Sequence, residues 1–558
     1  MAWTLIDSSR RYYDFLEQNG RGLEEIPLLR VVPSPAGVIL EVKSKVLSTE
    51  NLLLRALEEE WRIGEEELVA ESFDEKRGLL SLECSPGLAA HLQRAQGLRL
   101  FSDLKFLVKN VERFYLNHEE ELILPRPSPL LIPPPIERLS GEQQKAVETI
   151  FAHPLSYVWG APGTGKTRGV LFESLLWTLG QGVRAILLAP TNNALEQALL
   201  ALLPQFDELG MERANVLRLG TPSARFLELY PEVCDPLSVR DKEATLFDFG
   251  SHKKSPKERM EEALVLAMTV DNFIKRFETL PLSGKKHLFL DEAAFTPLIK
   301  AITLCAAQAP LTMLGDHKQL PPVCEAPERE MRGENRTLKA WHYSALHLES
   351  YMRQGEAIFE VSDPLLLPPL VTTQMVCLSR SHRYGENLTR LLDEHIYQMG
   401  LTGLEKKTEL YYIDSGAGER VDSKGYSSPM EAKAMRGLVG ELLRSEADFG
   451  IITPFVLQKK AILEHHPELR GKERVMTIHG SQGQEFETVI LSPVTLHYHL
   501  TNSKNPAALH ALNVAVSRAK GRIVLVCDYA FWMKQKGQFL SALLRECEPL
   551  GQIKAPKL

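Results

Sequence analysis

The sequence predicts an α/β fold with two parallel sheets, each covered on both faces by helices, behind a small N-terminal β unit. Three observations predict it. From residue 155 onward, short apolar runs alternate with stretches of helical spacing. A proline-rich segment separates that alternation from a differently patterned start, and a second alternating block opens near Leu370. Near-continuous apolar runs are what strands buried on both faces require.

Size and composition bound the rest. A chain of 558 residues with 44% hydrophobic content can bury a large core and is too long for one ordinary domain. A net charge of −7 argues against a basic coat, although a basic cleft can sit in an acidic protein. The seven cysteines are scattered with no CxxC pair, which argues against a zinc or iron–sulfur site and fits a reducing compartment. The N-terminal "MAWTLIDSSRRYYDF" lacks the apolar core of a signal peptide. No stretch approaches the roughly 20 apolar residues of a membrane span. The expectation is a cytoplasmic protein with no membrane partner.

In chain order, "SSRRYYDFLEQNG" has helical spacing, and "PLLRVVPSPAGVILEVKS" and "RGLLSLECSPG" read as short strands broken by Pro and Gly. "LFSDLKFLVKNVERFYLNHEEE" reads as a long amphipathic helix. "LPRPSPLLIPPPIERLS" carries six prolines between Pro125 and Pro135, so it reads as a stiff extended linker. The runs "LSYVWG", "RAILLAP", "LVLAMTV", "KHLFLDEA" and "PLTMLGD" follow as strands. Residues 204–262 interrupt them with a mostly polar excursion. "LVTTQMVCLS", "FGIITPF", "RVMTIHG", "TVILSPV" and "RIVLVCD" are expected to build the second sheet.

The chemistry sits at the ends of these runs. "GAPGTGKT", Gly160 to Thr167, satisfies GxxxxGK[ST] between a strand and a helix. Its glycines permit a tight loop whose N–H groups surround phosphates, with the helix N-terminus adding favourable potential. Lys166 is expected at the β- and γ-phosphates and Thr167 on Mg²⁺. Asp291, ending "LFLD", is placed for a second Mg²⁺ contact, and Glu292 to polarise an attacking water. "GDHKQLPP" ends the next run. Neighbouring parallel strands end on one side, where ligands bind, so Gln319 is expected to feel the γ-phosphate.

In order, "LSGEQQKAV", "GAPGTGKT", "LLAPTNNALEQ", "DEAA", "GDHKQLPP", "IITPF", "TIHGSQGQEFETVIL" and "NVAVSRAKGRIVLV" resemble the motifs of superfamily 1 helicases. "GDHKQLPP", "DEAA" and "NVAVSRAK" most resemble the Upf-like branch of superfamily 1B, and "HGSQGQEF" also looks like the RecD and Dda relatives. The resemblance covers roughly residues 139–530.

It implies two RecA-like domains with ATP and Mg²⁺ between them. By position, the phosphate loop would be Gly160, Ala161, Pro162, Gly163, Thr164, Gly165, Lys166 and Thr167. Gln143 would read adenine, and Gly483 and Glu485 would lie against the nucleotide, Glu485 at the ribose. Gln319 would couple γ-phosphate to the nucleic-acid site, and Arg383 and Arg518 would be arginine fingers. Pro190, Thr191, Asn192, Thr453, Pro454, Thr477, His479 and Ser481 would contact nucleic acid, through short polar groups that suit phosphates. The implied division is stalk helices and small β-barrel at 1–126, the first RecA-like domain at 127–203 and 263–345, an inserted accessory subdomain at 204–262, a connecting segment at 346–370, and the second RecA-like domain at 371–558. Two positions depart from the branch: Phe295 replaces a Gln, and His382 stands where a Tyr often stacks on adenine. With a short tail after the last motif, no nuclease domain is expected behind it.

The function implied is an ATP-dependent 5′→3′ helicase and translocase on single-stranded DNA or RNA, with protein partners in a repair, RNA-turnover or defence complex. The alternative is a nucleic-acid-stimulated ATPase that acts as a clamp or switch without unwinding. A third class, an ATPase with no nucleic-acid partner, would show no strand stimulation.

Overall fold

The computed structural model describes residues 2–550 apart from 44–45, 47–48, 58, 65–67, 76, 236–254, 361–372, 419, 423–424 and 473. It divides into two compact units. The first is Met1–Trp159, Lys166–Gly315 and Pro321–Cys377; the second is Gly160–Gly165, Asp316–Leu320 and Leu378–Leu558.

The first unit opens with the expected helices, Ala2–Gln18 and Leu104–His118, which pack on each other. Asp103 caps the second by accepting from the Phe106 N–H at 3.2 Å. Between the two helices lie two four-stranded antiparallel sheets. Their inward residues, among them Val38, Leu40, Leu54, Leu80 and Leu100, form one buried core. The Ser8 hydroxyl donates to the Thr337 carbonyl at 2.7 Å, and Tyr115 donates to the Ile299 carbonyl, so both helices are seated on the rest of this unit. The proline-rich stretch forms no regular element between Leu122 and Ile136. It is pinned instead, with Trp177 Nε1 donating to the Leu131 carbonyl at 2.9 Å.

A seven-stranded sheet completes the unit. Its strands are β1 (Leu155–Gly160), β2 (Arg184–Ala189), β3 (Val216–Arg218), β4 (Val265–Thr269), β5 (Lys286–Leu290), β6 (Leu311–Gly315) and β7 (Gln374–Leu378). The order is β3-β4-β2-β5-β6-β1-β7. The pairings from β3 through to β1 are parallel. Strands β1, β4 and β6 are buried along their whole length, as their apolar runs require. Because the strands are parallel, Gly160, Ala189, Thr269, Leu290 and Gly315 all end on one side, and every predicted loop of this half begins there.

The predicted excursion 204–262 begins inside this architecture. The helix Asn192–Glu208 runs into it, and β3 pairs with β4 at the sheet edge. A three-residue strand is too short to show a period, which hid it. Residues 236–254 of that excursion lie outside the described residues, as do 361–370 of the predicted connecting segment. The run "LVTTQMVCLS" also differs from expectation. Its described strand, β7, is the edge of the first sheet rather than the start of the second.

The second unit contains β8 (Glu409–Asp414), β9 (Phe449–Thr453), β10 (Val475–Thr477), β11 (Phe486–Leu491), β12 (Ala519–Cys527) and β13 (Glu548–Pro549). They form an all-parallel sheet in the order β10-β9-β11-β12-β8-β13. Phe449, Ile451, Ile490, Val524 and Val526 carry its core. β8 was not legible as a strand. Its sequence "ELYYID" is half-polar because it lies next to the short edge strand and is only partly covered.

Candidate nucleotide and nucleic-acid site

In the first unit, Lys166 and Thr167 open the helical segment that follows the glycine loop, and the Thr167 hydroxyl lies 3.4 Å from Asp291 Oδ2, to which it donates. Asp291 is 6% exposed at the end of β5, and its backbone N–H donates to the Leu188 carbonyl at 2.9 Å. Its Oδ1 accepts from the Glu292 N–H at 3.0 Å. Burial, and then the charge of Glu292, push the Asp291 carboxyl above its usual range, while Lys166 pulls it back. A buried carboxylate oxygen beside a hydroxyl is a hard-oxygen pair of the kind Mg²⁺ takes, and a divalent ion there would remove the cost of the buried charge. Glu292 has φ 54°, a left-handed conformation that costs a non-glycine residue about 1 kcal/mol or more. This bends the backbone sharply at the place where the sequence puts the expected water-polarising acid.

Gln143 is 9% exposed in the first turn of the helix Gly141–Ala152. It forms a reciprocal cap with Ser140: Gln143 Oε1 accepts from the Ser140 N–H at 3.1 Å, and Ser140 Oγ accepts from the Gln143 N–H at 3.3 Å. Its amide orientation is thereby fixed, with Nε2 toward Gly169.

In the second unit, the glycine loop is threaded against residues 381–383. The Ser381 hydroxyl donates to the Pro162 carbonyl at 3.1 Å, and the His382 N–H donates to the Gly163 carbonyl at 2.7 Å. Gly163 has φ 80°, and a Cβ there would lie 2.5 Å from the Arg383 Cβ. Only glycine permits this approach. Within the loop, the Thr164 hydroxyl donates to the Ala161 carbonyl at 2.8 Å, and Gly165 also has positive φ. The imidazole of His382 is exposed.

Gln319 lies in this unit with both ends of its amide hydrogen-bonded. Arg518 Nη2 donates to Gln319 Oε1 at 3.2 Å, and Gln319 Nε2 donates to Asp316 Oδ2 at 3.0 Å. The same Asp316 oxygen accepts from the Tyr397 hydroxyl at 2.7 Å. Asn513 Nδ2 then donates to Tyr397 Oη and to the Lys318 carbonyl, each at 2.8 Å. A chain of hydrogen bonds therefore runs Arg518–Gln319–Asp316–Tyr397–Asn513, and all five side chains are buried. Sequence reasoning missed Tyr397 and Asn513. Asn513 lies inside "NVAVSRAK" and could have been found there; Tyr397, in "DEHIYQMG", gives no local signal.

Arg518 is 5% exposed and also donates to the carbonyls of Val514 at 3.0 Å and Gln484 at 3.3 Å. Arg383 donates to the Ser517 carbonyl at 2.9 Å and pairs with Glu485. Arg383 and Arg518, the two predicted fingers, thus converge on the turn after the helix Pro506–Val516. Gly483 supplies a positive φ in the neighbouring turn.

The predicted strand-contacting residues divide by exposure. Thr191 and Asn192 are half-buried, and Thr191 Oγ1 caps its helix by accepting from the Ala194 N–H at 3.2 Å. Thr477 is half-buried and His479 exposed. Thr453, Pro454 and Ser481 are buried. The Ser481 hydroxyl closes its own turn by donating to the Ile478 carbonyl at 2.7 Å. Pro190 is half-buried, and Phe295 likewise. Among the described residues no cluster of metal-ligating side chains occurs, and no helix is long and apolar enough to cross a membrane.

Comparison with known proteins gives this arrangement its family. An AAA domain family matches residues 143–325, and a second AAA domain family matches residues 371–530. The DNA-binding protein SMUBP-2 of Mus musculus is 25% identical over 72% of this chain and 44% of that protein. The ATP-dependent helicase upf1 of Schizosaccharomyces pombe is 24% identical over 77% of this chain and 50% of that protein. The DNA replication ATP-dependent helicase/nuclease JHS1 of Arabidopsis thaliana is 24% identical over 70% of this chain and 28% of that protein. The chain thus spans half or less of the length of these relatives. With both AAA domains matched in order and these relatives alongside, the chain is similar to the superfamily 1 helicases of the Upf-like branch.

Proposed function

We propose that this protein hydrolyses ATP to move 5′→3′ along single-stranded DNA or RNA, and separates duplexes as it moves. The observation that carries the reading is the Thr167–Asp291 pair beside Lys166 and Glu292 at the ends of parallel strands. In this reading Lys166 and the loop N–H groups hold the phosphates, and Thr167 and Asp291 hold Mg²⁺. The bound Mg²⁺ would neutralise charge on the phosphates. Glu292 orients the attacking water, and Arg383 and Arg518 donate to the oxygens that gain charge during transfer. Gln319, held between Arg518 and Asp316, reports that event to the strand. Thr191, Asn192, Thr477 and His479 offer polar side chains, and the buried turns at Thr453–Pro454 and Ser481 offer backbone groups. Phosphate contact of this kind is blind to sequence and weakened by salt. Seven cysteines without a disulfide suit a reducing cytoplasm.

The test is strand displacement on duplexes with a 5′ or a 3′ single-stranded tail, in DNA and RNA. ATP-dependent displacement from the 5′-tailed duplex alone is expected. Hydrolysis stimulated by single strands with no displacement from either duplex would replace this reading with that of an ATPase clamp.

A further inference from the structure

A set of partly buried polar contacts outside the nucleotide site joins the N-terminal β unit to the first turn of the helix Asn192–Glu208. Arg218, the last residue of β3, is 0% exposed. Its Nη2 donates to Asn192 Oδ1 at 3.0 Å and to Glu196 Oε1 at 3.2 Å, and its Nη1 donates to the Gly220 carbonyl. Glu196 Oε1 also accepts from the Ser223 N–H at 2.8 Å. The loop 219–223 is in turn seated on the β unit. The Thr221 hydroxyl donates to the Ala70 carbonyl at 3.2 Å, and the Phe73 N–H donates to the Pro222 carbonyl at 3.3 Å.

Glu50 of the β unit closes the set. Its carboxylate accepts from the Thr269 hydroxyl at 2.9 and 3.0 Å and from Asn272 Nδ2 at 3.3 Å. Thr269 ends β4 and caps the next helix by accepting from the Asn272 N–H at 3.1 Å. Gly220 has φ 89°, and a Cβ there would meet Asn272 Nδ2 at 2.4 Å, Glu50 Oε1 at 3.3 Å and Arg218 Nη1 at 3.6 Å. The bare Cα of Gly220 is thus the point around which Glu50, Arg218 and Asn272 gather. Burial raises the Glu50 carboxyl and the positive charge of Arg218 lowers it, so the two groups sense each other.

Asn192 lies at the far end of this set. With its Oδ1 committed to Arg218, the amide is turned so that Nδ2 is the edge it can offer as a donor. An amide donor at a helix N-terminus suits a phosphate of the strand.

We propose that Glu50 and Arg218 are positioning residues through which the N-terminal β unit sets the strand-gripping geometry of Asn192. The inference rests on the nucleic-acid reading above and adds that the β unit tunes grip from a distance. The contacts of Glu50 to Thr269 and Asn272 lie on the side of the β unit, so its removal alters strand affinity while unstimulated hydrolysis stays as in the wild type.

The experiment measures the poly-dT concentration for half-maximal ATPase stimulation in the full chain for wild type, E50A, E50Q, N192A and the E50A/N192A double variant. Hydrogen exchange across residues 190–196 is followed in parallel. A connected hydrogen-bonded set of this kind couples its members non-additively. The expected result is a rise of about fivefold or more in that concentration for E50A and for N192A, and a double variant no worse than the poorer single. E50Q, which keeps an acceptor for Thr269, should recover part of the loss. Exchange at 190–196 should quicken in E50A, a readout that needs no nucleic acid and reports on the fold of that segment directly. Additive single effects, or E50A with wild-type affinity and exchange while N192A is impaired, overturn the inference and leave the nucleic-acid reading standing. Absence of stimulation in the wild type overturns both.

Discussion

Replacing Gln319 with alanine tests the coupling chain at its middle. The substitution removes the acceptor of an Arg518 hydrogen bond at 3.2 Å and a donor to Asp316 Oδ2. Arg518 and Asp316 are 5% and 2% exposed, so water does not simply replace the lost partner. A hydrogen bond to a charged group contributes about 1.5–3 kcal/mol. At about 1.4 kcal/mol per factor of ten, that converts to roughly 10- to 150-fold in the step Gln319 serves. The assay is steady-state ATP hydrolysis with and without saturating single strand, and the quantity read is the stimulation ratio. Q319A should lower that ratio about tenfold or more. Q319E is the sharper control. It keeps an acceptor for Arg518 but replaces the donor to Asp316 with a second carboxylate at a 3.0 Å contact, so it should also fail. A stimulation ratio within twofold of wild type in Q319A would refute the assignment of Gln319 as the coupling residue.

Other outcomes follow from the same geometry. R518A should slow hydrolysis by about a thousandfold or more, as loss of an arginine finger does, while nucleotide binding followed by fluorescence stays within a few-fold; hydrolysis within tenfold of wild type would remove that role. Glu431 is 1% exposed and accepts from the Ser492 hydroxyl at 2.6 Å and the Val494 N–H at 3.2 Å, and burial pushes its carboxyl up to about 8. Between pH 4.5, the ordinary value of a glutamate, and 8, the folded chain therefore holds a proton that the unfolded chain releases, so stability falls as pH rises through that window. At about 1.4 kcal/mol per pH unit the loss is on the order of 4 kcal/mol, and urea midpoints of wild type should fall from pH 5 to pH 8 while those of E431Q fall less. Equal slopes for the two proteins would count against a buried neutral Glu431.

Much of the site was legible because its chemistry is local. "GAPGTGKT" and "LFLDEAA" carry their loops and acids within a few residues, and strand-end placement follows from parallel pairing. The apolar runs marked ten of the thirteen described strands of the two parallel sheets directly, one of them in the wrong sheet, because full burial leaves no polar alternation. What escaped depends on contacts distant in sequence. Tyr397 meets Asp316 across 81 positions, and Glu50 meets Thr269 across 219. No spacing rule links such residues. β7 was assigned to the wrong sheet because an apolar run shows that a strand is buried but not which neighbour covers it. Thr453 and Ser481 share the letters of surface turns, yet their hydroxyls are buried, a distinction set by packing alone.

The most direct measurement is ATP hydrolysis by the full chain with no nucleic acid, with poly-dT and with poly-U, at low and high salt, with K166A as the blank. The account predicts hydrolysis abolished in K166A, and a wild-type rate raised by at least one polymer and less so as salt increases. A wild-type rate indifferent to both polymers at both salt concentrations would contradict it.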